Sequence, residues 1–246
     1  FNLDRRAERV RLFELGRVFR KDASVQDSDT TVAGFDQPMR VAGLAFGPVD
    51  DLQWGVPERA VDFFDLKGDV QALLAPRRPE FRTAEHPAMH PGRCAAVWLD
   101  GQLIGHVGEL HPRWRQAYDL SAAPVLFELD LAAVLARPVP VFQGVSRHQP
   151  VERDLAIVVH ESVTHDAVIE AIHAIGSPWL REAALFDVYR PKAGAPAGSL
   201  QADEKSLAVR IVLNRDDATL TEDDIEATIQ AALASLQQRT AARLRT

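Results

Sequence analysis

Ser206-Leu-Ala-Val-Arg-Ile-Val-Leu213 is the stretch on which the fold turns. Leu207, Val209, Ile211 and Leu213 alternate with Ala208, Arg210 and Val212. This is the two-residue period of a strand with one face in a core and the other partly wet. Downstream, Thr219-Leu-Thr-Glu-Asp-Asp224 opens a long helix. Thr221 and Asp224 have the cap-to-third-residue spacing, and the acidic cluster falls where the helix dipole favours negative charge. Ile225, Ile229 and Leu236 mark its buried side, with Leu233 beside them. The tail, Ala241-Ala-Arg-Leu-Arg245, is short enough for a last edge strand. Upstream, Leu180 to Tyr189 reads as extended, and the small-residue stretch Ala193-Gly-Ala-Pro-Ala-Gly-Ser199 after it as a loop. Further back, Thr164 caps a helix through Ile175, ended by Gly176 and Pro178. Val168, Ile169, Ile172 and Ile175 share one face of it. Asp154-Leu-Ala-Ile-Val-Val159 is a short β-branched strand.

In order these elements are β-α-β-β-α-β, the split ferredoxin-like arrangement. Two helices cover one face of a four-stranded antiparallel sheet, and the other face is left open for a partner. Fold alone does not say which partner.

Before this region lies Arg137-Pro-Val-Pro140, where two prolines remove backbone donors and hold the chain extended. The expected domains are therefore 1–140 and 141–246. In the first, Arg11 to Phe19, Val41 to Phe46 and Val125 to Leu129 read as strands, and Asp62 to Leu74 as a helix. Cys94 to Leu99, the turn Asp100-Gly101 and Leu103 to Val107 form a hairpin. The fold class is α+β, with a mainly antiparallel sheet in the first domain.

The chain of 246 residues is 46% hydrophobic and 26% charged, the composition of a globular protein. No apolar run approaches the roughly 20 residues needed to cross a bilayer, so no membrane partner is expected. Phe1-Asn-Leu-Asp-Arg-Arg6 has no apolar signal core, and the single cysteine, Cys94, excludes an internal disulfide. A reducing, cytoplasmic location is expected. The net charge of −7 argues against a general nucleic-acid binder, DNA included, because such binding rests on Lys and Arg neutralising phosphates. Any RNA contact must be local.

No phosphate-cradling Gly-Lys-Ser/Thr loop, dinucleotide Gly fingerprint or Gly-x-Ser-x-Gly elbow is present, and the residues point to no catalytic site. His86, His90, Cys94 and His111 are the one cluster that brings a metal to mind. Pro87, Pro91 and Gly92 break up any regular helix that would align His86 with His90, so the expectation is loop histidines and no metal. Asp62, Asp65 and Asp69 are able to share a helix face; with Lys67 among them, a solvated N-terminal turn is the better account. In the second domain Arg153, Tyr189, Lys205 and Arg210 flank the strands. They offer cations for phosphates and an aromatic for an unpaired base; ordinary strand-edge ion pairing, Arg153 with Asp154 or Asp187, is the competing account.

Several segments together resemble the β subunit of bacterial phenylalanine–tRNA ligase, in its C-terminal part. In the second domain these are Ser146 to Val159, Leu185-Phe-Asp-Val-Tyr-Arg190, Lys205-Ser-Leu-Ala-Val-Arg210, Thr219-Leu-Thr221 and Leu244-Arg245. That order is similar to a ferredoxin-fold anticodon-binding domain. In the first they are Leu12 to Phe19, Phe64-Asp-Leu-Lys-Gly-Asp-Val70, His90-Pro-Gly-Arg-Cys-Ala95 and Gly105-His-Val-Gly-Glu-Leu-His-Pro112, which look like a class II synthetase-like module without catalytic residues. The resemblance implies an α2β2 ligase that joins phenylalanine to tRNA-Phe with ATP and magnesium in the α subunit, and no cofactor in this chain. It implies that the first domain packs against α, that the second reaches the anticodon, and that the editing, small helical and N-terminal modules precede Phe1. Arg153, Tyr189, Lys205 and Arg210 are the expected RNA contacts. The chain departs from many relatives in carrying Ala202-Asp203-Glu204 where they have a Gly-Lys pair. Residues 142–246 hold 11 Lys/Arg against 15 Asp/Glu, a net of −4, so affinity from this domain alone is expected to be weak. The rival expectations are an assembly domain without RNA contact and a metal-dependent enzyme built on His86, Cys94 and His111.

Overall fold

The structure, a computed structural model, describes every residue except 1–4, 6, 30, 138, 140, 143–145, 192–199, 202 and 246. Contacts divide the chain into two units, Phe1–Pro140 and Val141–Thr246. Pro138 and Pro140 of the expected linker, the 193–199 loop and Ala202 lie outside the described residues.

The first unit contains β1 (Val10–Arg17), β2 (Arg20–Lys21), β3 (Phe35–Asp36), β4 (Met39–Phe46), α1 (Phe63–Leu74), β5 (Glu80–Thr83), β6 (Met89–Leu99), β7 (Gln102–Leu110), α2 (Pro112–Ala117), β8 (Val125–Asp130) and α3 (Leu131–Leu135). Six strands pair antiparallel in the order β1-β4-β8-β7-β6-β5. Asp62 caps α1: its carboxylate accepts the Phe64 and Asp65 N–H groups, and Asp65 returns the bond to the Asp62 N–H. That box satisfies donors which the first helical turn cannot. Leu66, Val70 and Leu74 then bury against Val97, Val107 and Leu129 of the sheet. The β6–β7 hairpin turns through Asp100 and Gly101, both at positive φ, as the Asp-Gly pair predicts.

The second unit contains β9 (Val151–His160), α4 (His165–His173), β10 (Leu180–Tyr189), β11 (Glu204–Leu213), α5 (Glu222–Thr240) and β12 (Arg243–Leu244). The sheet order is β10-β11-β9-β12 with antiparallel neighbours. This is the β-α-β-β-α-β arrangement read from the sequence. Thr164 and Thr221 cap the two helices, and Thr221 with Asp224 completes a capping box. Leu155, Ile157 and Val159 of β9 and Leu207, Val209, Ile211 and Leu213 of β11 meet Val168 and Ile172 of α4 and Ile225, Ile229 and Leu236 of α5. Each fully buried aliphatic side chain stabilises the unit by about 1.5–3 kcal/mol relative to exposure.

Candidate nucleic-acid interface

Outside the two irregularities of β10, at Arg181 and Phe186, strand parity assigns the side chains of the second sheet to a face, because neighbours along a strand point oppositely and cross-strand partners point alike. The core positions of β9 and β11 carry odd numbers, and the helices cover that face. Arg153 pairs with Ile211 in register, and so belongs to the covered face. Its guanidinium reaches the first turn of α5, donating to Glu222 Oε1 at 2.9 Å. Lys205 shares parity with Leu207 and is 8% exposed. Its ammonium donates to the Glu161 carbonyl at 2.8 Å, with Glu161 Oε1 at 4.0 Å. These two placements correct the expectation of four contacts on the exposed sheet: Arg153 and Lys205 point away from it.

Tyr189 and Arg210 are on the open face. Tyr189 pairs with Ser206, and Ser206 with Val158, which pairs with Arg243 at the sheet edge. Two residues along, Asp187 pairs with Ala208, and Ala208 with Ala156. Ala184, Arg210 and Asp154 form the next row; Glu182, Val212 and Glu152 the last. Ala156 and Ala208 therefore make a low floor between larger side chains. On one side of it the Arg245 guanidinium lies 5.2 Å from the Tyr189 ring centre and donates weakly to Ser206 Oγ. On the other, the Arg210 guanidinium lies 5.3 Å from the Phe186 ring centre. Such cation–ring pairs leave aromatic surface available for a further planar group.

Arg245 and Phe186 escaped the reading from sequence. A two-residue strand shows no alternation, and Phe186 follows the irregularity between Leu185 and Asp187, where the strand period slips. The placement of Arg153 and Lys205 was legible: each shares the parity of the apolar residues two positions away.

Charge on this face is uneven. Arg210 Nε and Nη2 donate to the two oxygens of Asp154 at 2.8 and 2.9 Å, and Glu152 lies 3.4 Å from Nη1. The hydrogen bond from Arg210 holds the Asp154 carboxyl below its ordinary pKa, and Asp154 in turn raises that of Arg210. At the other end Arg243 pairs with Glu204 at 2.7 Å. A backbone donor from Gln201, then Arg243, keep the Glu204 carboxyl low. Arg190 clasps Glu161 at 2.8 Å. Among the described residues Arg245 has no carboxylate partner.

In the first unit His86, His111 and Cys94 serve local structure, while His90 Nδ1 is buried without a hydrogen-bond partner among the described residues. His111 Nδ1 accepts the Arg113 N–H and caps α2, and His86 Nδ1 accepts the Ala88 N–H. Cys94 is buried with its sulfur 3.5 Å from that of Met89, and desolvation raises its thiol pKa, the opposite of nucleophile activation. Asp65 pairs with Arg59 at 2.6 Å and Asp69 with Arg11 at 3.4 Å. Among the described residues no three His, Cys, Asp or Glu side chains converge on a position that would hold a metal, and no helix is long and apolar enough to cross a membrane.

Residues 146–245 match the family model of the ferredoxin-fold anticodon binding domain, and residues 1–131 that of the phenylalanyl tRNA synthetase beta chain CLM domain. Over its full length the chain is 51% identical to the phenylalanine–tRNA ligase beta subunit of Ralstonia nicotianae and 45% identical to that of Cupriavidus pinatubonensis, covering 31% and 30% of those proteins. The subunit of Chromobacterium violaceum is 49% identical over 94% of the chain, which covers 28% of it. The chain thus spans under a third of the relatives it matches. A ferredoxin-like unit that matches an anticodon-binding model, following a six-stranded antiparallel unit that matches a synthetase β-chain model, is a domain pair of the aminoacyl-tRNA synthetase class. The chain belongs to the phenylalanyl-tRNA synthetase β-chain family.

Proposed function

We propose that the chain is a non-catalytic part of phenylalanine–tRNA ligase whose second domain, 141–246, holds the anticodon region of tRNA-Phe on its open sheet face. The observation that carries this reading is the alanine floor flanked by the Tyr189–Arg245 and Phe186–Arg210 pairs. An unpaired base laid over Ala156 and Ala208 approaches the sheet closely and stacks on an aromatic ring, while Arg245 neutralises the adjoining phosphate. Tyr189 and Arg210 keep a place at the interface; Phe186 and Arg245 join them; Arg153 and Lys205 act as structural supports.

The first domain, 1–140, is an inactive synthetase-like core that packs against the α subunit of an α2β2 enzyme. Its exposed Leu12, Phe13, Leu15 and Phe19, on or next to the edge strand β1, support an assembly role, since Phe13 and Leu15 share one face of an unpaired strand edge and exposed large apolar side chains there favour a partner. ATP and magnesium belong to α in this reading, and the complex works in the cytoplasm.

Titrating a labelled tRNA-Phe anticodon stem-loop against the assembled enzyme tests the proposal. Tyr189→Ala is expected to weaken binding by the roughly 1–3 kcal/mol that one stacked base contributes. Unchanged affinity for both Tyr189→Ala and Arg245→Ala removes the open face from the interface and favours a domain used only in assembly.

A further inference from the structure

The open face has two cation–aromatic pairs, yet only one of its cations is available to a phosphate. Arg245 approaches the face from β12 and touches Ser206 Oγ and the Tyr189 ring. Arg210 stands on a central strand, fork to fork with Asp154 at 2.8 and 2.9 Å, and with Glu152 at 3.4 Å. Planar, two-bond geometry of this kind is the stronger form of arginine–carboxylate contact, and a phosphate must displace it before it gains anything from Arg210. Glu182, exposed, ends the Glu152 row, and Asp187, exposed, lies beside Phe186. That half of the face repels a nucleic-acid backbone, while the Tyr189–Arg245 half accepts one.

Resting on the reading of the open face as the RNA interface, we propose that Asp154, assisted by Glu152, is a specificity-determining residue that withholds Arg210 from phosphates and confines the RNA backbone to the Arg245 side. Discrimination between partners needs repulsive elements as well as attractive ones, and an uncommitted arginine on an exposed sheet would attract any polyanion. With Asp154 in place, an RNA gains on the Phe186 side only through bases lying on the ring and the alanine floor. A wrong anticodon loop that misplaces its bases brings phosphate against the carboxylates. Asp154 acts through Arg210 and through charge, without forming a bond to the RNA.

The salt dependence of binding reads this directly, because each phosphate neutralised on a single strand adds about 0.7 to the slope of log K against log salt. The assembled enzyme is titrated with tRNA-Phe and with the same tRNA carrying a substituted anticodon. Asp154→Asn is expected to steepen the slope by about 0.7 and to raise affinity for the substituted tRNA by more than for tRNA-Phe, narrowing the ratio severalfold. Adding Arg210→Ala to Asp154→Asn is expected to return the slope to its original value, while Arg210→Ala alone leaves it unchanged. Glu152→Gln is expected to act in the same direction as Asp154→Asn, and more weakly. An unaltered slope and ratio in Asp154→Asn, or a slope that already falls in Arg210→Ala alone, overturns the inference. Failure of the underlying interface looks different: Arg245→Ala then leaves both affinity and slope untouched.

Discussion

Lys205 is where residue type and residue environment part company. A lysine on a strand of an anticodon-binding fold invites a phosphate, yet this one shares the odd parity of Leu207 and Val209, and its ammonium is held by the Glu161 carbonyl. Its stem packs where the sheet meets its covered face, the usual way a long cation reconciles an apolar body with a charged tip. Lys205→Met is expected to lower the stability of the second unit by roughly 1.5–3 kcal/mol, the contribution of a hydrogen bond from a charged donor, as read by thermal unfolding. RNA affinity of the folded variant is expected to stay at the wild-type value. Asp65 provides the matching case in the first unit. The hydrogen bond from Arg59 holds its carboxyl below the ordinary value, with help from the Asp62 N–H. Because the folded pKa is the lower one, this stabilisation is fully present above the unfolded value of 3.8 and is lost as pH falls through the folded value. Unfolding midpoints of Asp65→Asn are accordingly expected to depend less on pH than those of the wild type between about pH 5 and about pH 3.

Elements with room to show a period are legible in the sequence. β11 alternates from Leu207 to Leu213, β9 carries the β-branched run Ile157-Val-Val159, and α5, at 19 residues, has its own start signal in Thr221 and Asp224. Thr221→Ala is expected to cost about 1 kcal/mol, detectable as a lower denaturant midpoint with an unchanged slope. The short pieces were not legible: α2 has six residues and α3 five, fewer than two helical turns, and each depends on a cap, His111 or Asp130, that looks like any other polar residue in sequence. β5, four residues at a sheet edge, carries too little pattern to separate from a loop. Close packing of backbones was equally hidden. A Cβ placed on Gly105 in β7 would stand 2.0 Å from the Glu128 carbonyl oxygen of the neighbouring β8. Gly105→Ala is therefore expected to destabilise the first unit by about 3 kcal/mol, the upper end of overpacking costs, in a chemical denaturation experiment.

For the molecule as a whole, the net charge of −7 and the −4 carried by residues 142–246 set the terms on which the proposed interface has to hold an RNA. A domain with excess negative charge gains little from the backbone at large, so its affinity has to come from bases on rings and from a cation placed where the carboxylates are not. The sheet meets those terms on one side only, with Tyr189, Phe186 and Arg245 around Ala156 and Ala208. Weak contact of this kind contributes usefully when the rest of a synthetase grips the same tRNA, since the second contact is then intramolecular. Sequence order alone led to the sheet and to its open side; parity with neighbouring apolar residues marks Arg153 and Lys205 as facing away from it, whereas Arg245, beside a two-residue strand, is placed only by register. The most direct measurement is the affinity of the assembled enzyme for a tRNA-Phe anticodon stem-loop in three variants, Arg245→Ala, Tyr189→Ala and Lys205→Met. The account predicts that the first two lose binding by about fivefold or more while the third binds like the wild type. Loss of binding in Lys205→Met with full binding in Arg245→Ala and Tyr189→Ala would contradict it.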